Sequence, residues 1–176
     1  MANIYMNIDG YKPEGAATIK DPNGAVYMAI KSYAWGATRN VNMEVGNLNN
    51  RDSGIGSVDA VTITRELDGS SNAMLTSVFK FDNTLGKDMT FIFVNPKKDG
   101  QGFEIFYQVK LTNARVISYK ETLENNSKPV SEMTIAYTKI AITHNTSDIT
   151  GKMTKGAATI FDVPTGVLEA GKFEKK

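Results

Sequence analysis

Phe103-Glu-Ile-Phe-Tyr-Gln-Val-Lys-Leu111 is the most regular run in the chain. Phe103, Ile105, Tyr107, Val109 and Leu111 share one parity, and Glu104, Gln108 and Lys110 share the other. Successive side chains of a strand point to opposite faces, so a period of two predicts a half-buried β-strand. A helix would need its apolar residues three and four apart. This stretch therefore sets the class as β.

The same rhythm continues on both sides. Upstream, Phe91 and Phe93 alternate with Thr90 and Ile92, and the turn PKKDGQG follows with Asp99-Gly100 as its hairpin signal. Downstream, Ala114–Tyr119 and Met133–Thr143 read as two more strands around the polar loop KETLENNSKP. The second slips phase between Tyr137 and Ile140, which predicts a bulge or a strong bend. Ala157–Val163 reads as a last short strand before the charged tail EAGKFEKK.

At the other end, Ile4, Met6 and Ile8 form a strand that stops at Asp9-Gly10. A Pro- and Gly-containing loop then leads to Ala25–Trp35. Met28 and Ile30 lie on one face there, while Tyr33 and Trp35, the only tryptophan, lie on the opposite parity. A bulge near Lys31–Ser32 would return both rings to the core. Met43–Val58 lacks apolar periodicity and is rich in Asn and Gly, which predicts a long extended loop. Val61, Ile63 and Leu67 resume a strand whose alternation Arg65 interrupts.

One segment has helical spacing. After Asp68-Gly-Ser-Ser71, residues Met74, Leu75, Val78 and Phe79 form a single stripe, predicting a helix over about 71–81 with Ser70 or Ser71 as N-cap. Its stripe, with Tyr33 and Trp35, is assigned to the core. Seven or eight strands and one helix predict a single mainly-β domain over about 1–165, a barrel or sandwich, followed by a charged tail at 166–176.

The chemistry-bearing residues are sparse. Of 176 residues, 41% are hydrophobic and 22% charged, ordinary for a globular domain. The net charge of +1 gives no basic excess for nucleic acid or a membrane surface, and no apolar run is long enough to span a bilayer. Without cysteine there is no disulfide, thiolate zinc site or cysteine nucleophile, and one histidine makes a transition-metal site improbable. His144 with Ser147 and Asp148 has triad residue types, but loop neighbours three and four residues apart imply no triad geometry. Asp59, Glu66 and Asp68 offer a weak carboxylate pair. No catalytic residue, cofactor or metal is assigned. The opening MANIYMNIDG carries no cationic stretch leading into an apolar run, so a cleaved secretory signal is not expected.

Four stretches, in order, resemble the Hcp family, the tube-forming proteins of bacterial type VI secretion, which are similar to phage tail-tube proteins. They are IYMNIDGYKPEG, YMAIKSYAWGATRNVNMEVG, VDAVTITRELDGSSNAML, and FEIFYQVKLTNARVISYKET with SEMTIAYTKIAI. The likeness covers roughly residues 3–143, and the aromatic-x-Trp-Gly strand joined to the Asp-x-Ser-Ser turn is its most specific part. It implies a β-barrel of two packed antiparallel sheets with one flanking α-helix and a long extended loop. It also implies a homohexameric ring that stacks into the inner tube, with effectors, sheath and spike or baseplate components as partners. On this reading the chain is cytoplasmic and then secreted by its own machine. Glu44, Val45, Gly46, Asn47, Leu48, Asn49, Asn50, Arg51, Asp52, Ser53, Gly54, Ile55 and Gly56 fall where that family has its subunit- and ring-contacting loop. A small-ligand or carbohydrate-binding β-sandwich using Tyr33 and Trp35 as an aromatic platform remains open beside it, as does a hydrolase using His144.

Overall fold

A computed structural model describes residues 3–12, 18–20, 25–40, 56–79, 86–97, 102–147 and 153–170. In chain order these form β1 (Asn3–Ile8), β2 (Thr18–Lys20), β3 (Val26–Ile30), β4 (Ser32–Ala34), β5 (Ala37–Thr38), β6 (Ser57–Val58) and β7 (Val61–Glu66). There follow α1 (Ser71–Phe79), β8 (Lys87–Pro96), β9 (Phe103–Thr122), β10 (Val130–Ala136), β11 (Lys139–Ser147), β12 (Met153–Asp162) and β13 (Val167–Ala170). All pairings among them are antiparallel.

Eleven strands form one hydrogen-bonded sheet. Its main path runs β2-β3-β1-β8-β9-β11-β12-β13, and a branch leaves β9 through β10 and β7 to β4. The two layers thus share β9, and the expected barrel is not closed. Closure comes nearest at Lys31, between β3 and β4. There β3 pairs with β1 while β4 pairs with β7, and the Lys31 amide donates to the Thr64 carbonyl at 2.8 Å. The ladder breaks at this residue, as the change of parity requires, and both Tyr33 and Trp35 pack against the core.

The strands read separately at Phe103–Leu111 and Ala114–Tyr119 are one strand of 20 residues. It survives its phase slips because extra residues absorb them. Asn113 adopts a left-handed φ of 53° where β8 shifts register between Lys87 and Met89, so Leu111 and Ala114 both face inward. A Cβ on Gly86 would stand 2.4 Å from the Asn113 carbonyl carbon, so this close approach demands glycine. Opposite the kink, Tyr137 and Thr138 separate β10 from β11, which is the bend predicted there.

A further shift between Phe93 and Val94 leaves Phe106 as an extra residue of β9. It divides the opening run of alternating residues. Val109 and Leu111 are buried in the main core, with Tyr107 packed against it, while Phe103 and Ile105 join a second cluster around Tyr27, Ile92 and Val94. Ile92, expected on the solvated side, is fully buried because this part of the sheet is covered on both faces.

Arg65 does not break the alternation of β7: Val61, Ile63 and Arg65 all point inward, and Arg65 is 1% exposed. Its Nη2 donates to Asp68 Oδ2 at 2.5 Å and its Nη1 approaches Met28 Sδ at 3.6 Å. Asp68 Oδ1 in turn accepts from the Ser70 amide at 3.0 Å and the Ser70 hydroxyl at 2.5 Å. The Asp68 amide donates to Ser71 Oγ at 3.1 Å. This turn starts α1 at Ser71, leaving Ser70 in the cap position.

Met74 is buried, Leu75 is partly covered and Val78 packs against the core. Phe79 departs from its core assignment, being 77% exposed. At 3.6 residues per turn it sits about 140° around the helix from Met74, beyond the stripe that meets the sheet. The predicted end of the helix at 80–81 lies outside the described residues. Val167–Ala170, read as tail, is strand β13 and pairs with β12.

Candidate assembly surfaces

The loop assigned to subunit contact falls almost wholly on residues 41–55, outside those described; of its assigned residues only Gly56 is described, and it is partly buried. The base of that loop is well defined. β5 and β6 pair there as a two-stranded ribbon, with Thr38 Oγ1 and Ser57 Oγ 2.8 Å apart. The Asp59 amide donates to the Gly36 carbonyl at 2.9 Å.

Trp35 ties the ribbon to the body. Its Nε1 donates to Tyr137 Oη at 2.6 Å, and Tyr137 Oη donates to the Asp59 carbonyl at 2.8 Å. Burial, with the nearby Asp59 charge, raises the Tyr137 hydroxyl above the ordinary tyrosine value, so it stays a proton donor. Trp35 is half-buried with its N–H committed, a tie between the loop base and the β10–β11 corner. Tyr33 beside it lies 5.2 Å from Phe91 and 5.3 Å from Phe93, ring centre to ring centre. Its hydroxyl, buried and without a hydrogen-bond partner among the described residues, is held far above the ordinary value by burial.

The carboxylates are dispersed. Glu66 binds Lys128 at 3.0 Å and Lys31 at 3.7 Å, and the Lys128 hydrogen bond lowers it below the usual glutamate range. Asp68 belongs to the buried turn with Arg65, and Asp59 to the loop base. His144 is exposed on β11, its ring 4.6 Å from Tyr107, and Asp148 lies outside the described residues. Among the described residues no cluster of three or more His, Cys, Asp or Glu could hold a metal ion. No helix among them is long and apolar enough to cross a membrane.

What the sequence reading missed is the edge of the sheet. Among the described residues β13 pairs with β12 alone and ends the main path, and Val163, Val167 and Leu168 around it are exposed. The hairpin is pinned by charge: Lys139 reaches Asp162 at 3.5 Å and Glu169 at 3.3 Å. The Thr165 amide and hydroxyl donate to Asp162 Oδ1 at 3.0 and 2.7 Å, holding that carboxyl below the usual aspartate range. The adjacent apolar pair Val167-Leu168 was the available signal, masked by the charges that follow it.

A family model described as "Type VI secretion system effector, Hcp" matches residues 5–144. A structure titled as that of a type six secretion system protein is similar at 18% identity and a TM-score of 0.80, covering 96% of this chain and all of that one. Hcp1 from Salmonella typhimurium is similar at 11% identity and a TM-score of 0.66, covering 96% of this chain and 99% of that one. Secreted protein Hcp3 from Pseudomonas aeruginosa is similar at 15% identity and a TM-score of 0.57, covering 92% and 98%. A search of curated proteins found no match.

Proposed function

The chain belongs to the Hcp family, a family of structural tube proteins of the type VI secretion system, and on that premise we propose that it works by assembling with copies of itself. It is a tube subunit. The family match over residues 5–144 carries this reading. The physical support is the edge at β13, where no second strand pairs among the described residues and where exposed Val167 and Leu168 offer a template for another chain.

Assembly proceeds when the edge of one copy meets a different surface on the next, a head-to-tail contact that closes into a ring. The ring is a hexamer, rings stack into a tube, and effectors travel with it past sheath and baseplate components. Residues 44–56 contribute to the contact with a neighbouring subunit or ring. The protein leaves the cell through this machine, with no catalytic step and no cofactor. The Trp35 platform has no support, since the indole N–H is bonded to Tyr137 and the ring packs on the core.

Solution mass at micromolar concentration, with electron micrographs of the same sample, tests the reading. Six-fold particles are expected. A strict monomer across concentration, salt and pH refutes it, and replacing residues 46–54 with a short Gly-Ser linker should weaken stacking while leaving the fold intact.

A further inference from the structure

Six large apolar side chains are exposed among the described residues, in three places. Val163, Val167 and Leu168 belong to the β13 edge. The other two places are unlike in shape. One is a groove of about 770 Å³ between α1, the end of β1 and the middle of β9. Met74, Val78 and Ile117 give it apolar walls, and Lys87 and Arg115 outnumber Asp9 among its charged residues. Ile117 is the extra residue where β10 shifts register between Thr134 and Ile135, and it is 56% exposed. Phe79, exposed next to the groove residue Val78, extends the apolar surface along the helix.

The third place is a knob. The β9–β10 ladder ends at the pair Thr122–Val130, and Leu123, the next residue, is 70% exposed at the start of the connecting turn. Glu124 follows it directly. No ion pair among the described residues engages Glu124, Lys87 or Arg115. The knob cannot fill the groove of its own copy. Six residues of strand at about 3.3 Å each carry Leu123 roughly 20 Å beyond Ile117, and pairing with β10 prevents β9 from folding back.

We propose that Leu123 of one copy seats in the α1–β9 groove of a second copy, with Glu124 facing Arg115 and Lys87. The apolar residue fills an apolar trough, and the acid meets the two bases at its rim. Within the ring proposed above the contact is head-to-tail, each copy giving its knob to one neighbour and its groove to the other. This deepens the tube reading and rests on it, while using residues other than those of the β13 edge and of the segment 44–56.

The chain has no cysteine, so introduced thiols report contacts without background. Full-length Leu123→Cys and Ser77→Cys proteins are mixed at assembling concentration and mildly oxidised, Ser77 being a groove residue. A mixed disulfide severalfold above either homodimer is expected. Leu123→Asp should weaken assembly at least about tenfold, as for an anchoring residue at an interface centre, whereas Leu123→Met should not. Glu124→Lys should weaken assembly, and Arg115→Glu in the same chain should restore it. Particles that form normally but give no Leu123–Ser77 mixed disulfide overturn the knob-and-groove contact and leave the tube reading standing. A protein that stays monomeric under all conditions sinks the tube reading and this contact with it.

Discussion

Trp35 and Tyr137 stand 102 positions apart in the chain and meet at 2.6 Å, the indole N–H donating to the phenol oxygen. Through the Asp59 carbonyl the same phenol holds the base of the predicted contact loop. The only tryptophan in the sequence therefore reports on a joint that ties this loop base to the β10–β11 corner.

Tyr137→Phe breaks both bonds while keeping the ring. It should cost about 1–3 kcal/mol, because a half-buried N–H and a carbonyl lose their partner. Urea unfolding followed by tryptophan emission measures it. The folded-state spectrum should also shift red as the loop base loosens, and an unchanged spectrum with unchanged stability removes the joint.

Tyr33→Phe should do the opposite. The hydroxyl is buried without a partner among the described residues, so the native state carries an unreturned desolvation cost. Removing it while keeping the contacts with Phe91 and Phe93 should be neutral or stabilising by up to about 1 kcal/mol. A loss of more than that in thermal unfolding indicates an unrecognised partner.

The turn at Arg65 and Asp68 is asymmetric to mutation. Asp68→Ala strands a fully buried guanidinium and removes the acceptor for the Ser70 amide and hydroxyl ahead of α1, and should cost about 3 kcal/mol, the lower end of the range for a broken buried pair because Asp68 is partly exposed. Arg65→Met removes the buried charge instead and should cost less. Equal losses for the two variants in denaturant titrations would rule out the buried charge as the reason.

Acid should release β13 early. Asp162 titrates below the usual aspartate range through the Thr165 hydroxyl and amide, then Lys139. Its stabilising effect is whole above that usual range, which lies near pH ~4, and is lost as pH falls through the depressed value. Glu66 follows the same sign through Lys128. Thr165→Val should move the carboxyl titration of Asp162, read by carbon NMR, back toward the ordinary range. Hydrogen exchange in β13 should rise in acid before exchange in β1 or β8 does.

Much of the fold was legible locally. The parity change after Ile30 located the break at Lys31, and the parity slip after Tyr137 located the bend between β10 and β11. Asp68-Gly-Ser-Ser announced the helix start, since its side chains bond within three residues. Phe79 was misread because a helical stripe shows which residues share a face but not how wide a strip the sheet covers. Arg65 was read as an interruption because its charge concealed an inward position that only a partner at Asp68 makes tolerable.

The amino-acid order by itself determined the alternation, the breaks after Ile30 and Tyr137 and the start of the helix, because these follow from the pleat, the turn and side chains reaching a few residues along the chain. The tertiary structure alone decided that two apparent strands fuse into β9, that both faces of the sheet around Ile92 are covered, and that the strand path of the described residues ends at β13 instead of closing. Those outcomes depend on which distant strands win each other's backbone hydrogen bonds. That competition is settled by register and shared burial between segments far apart in the chain, and periodicity within one segment carries no record of it.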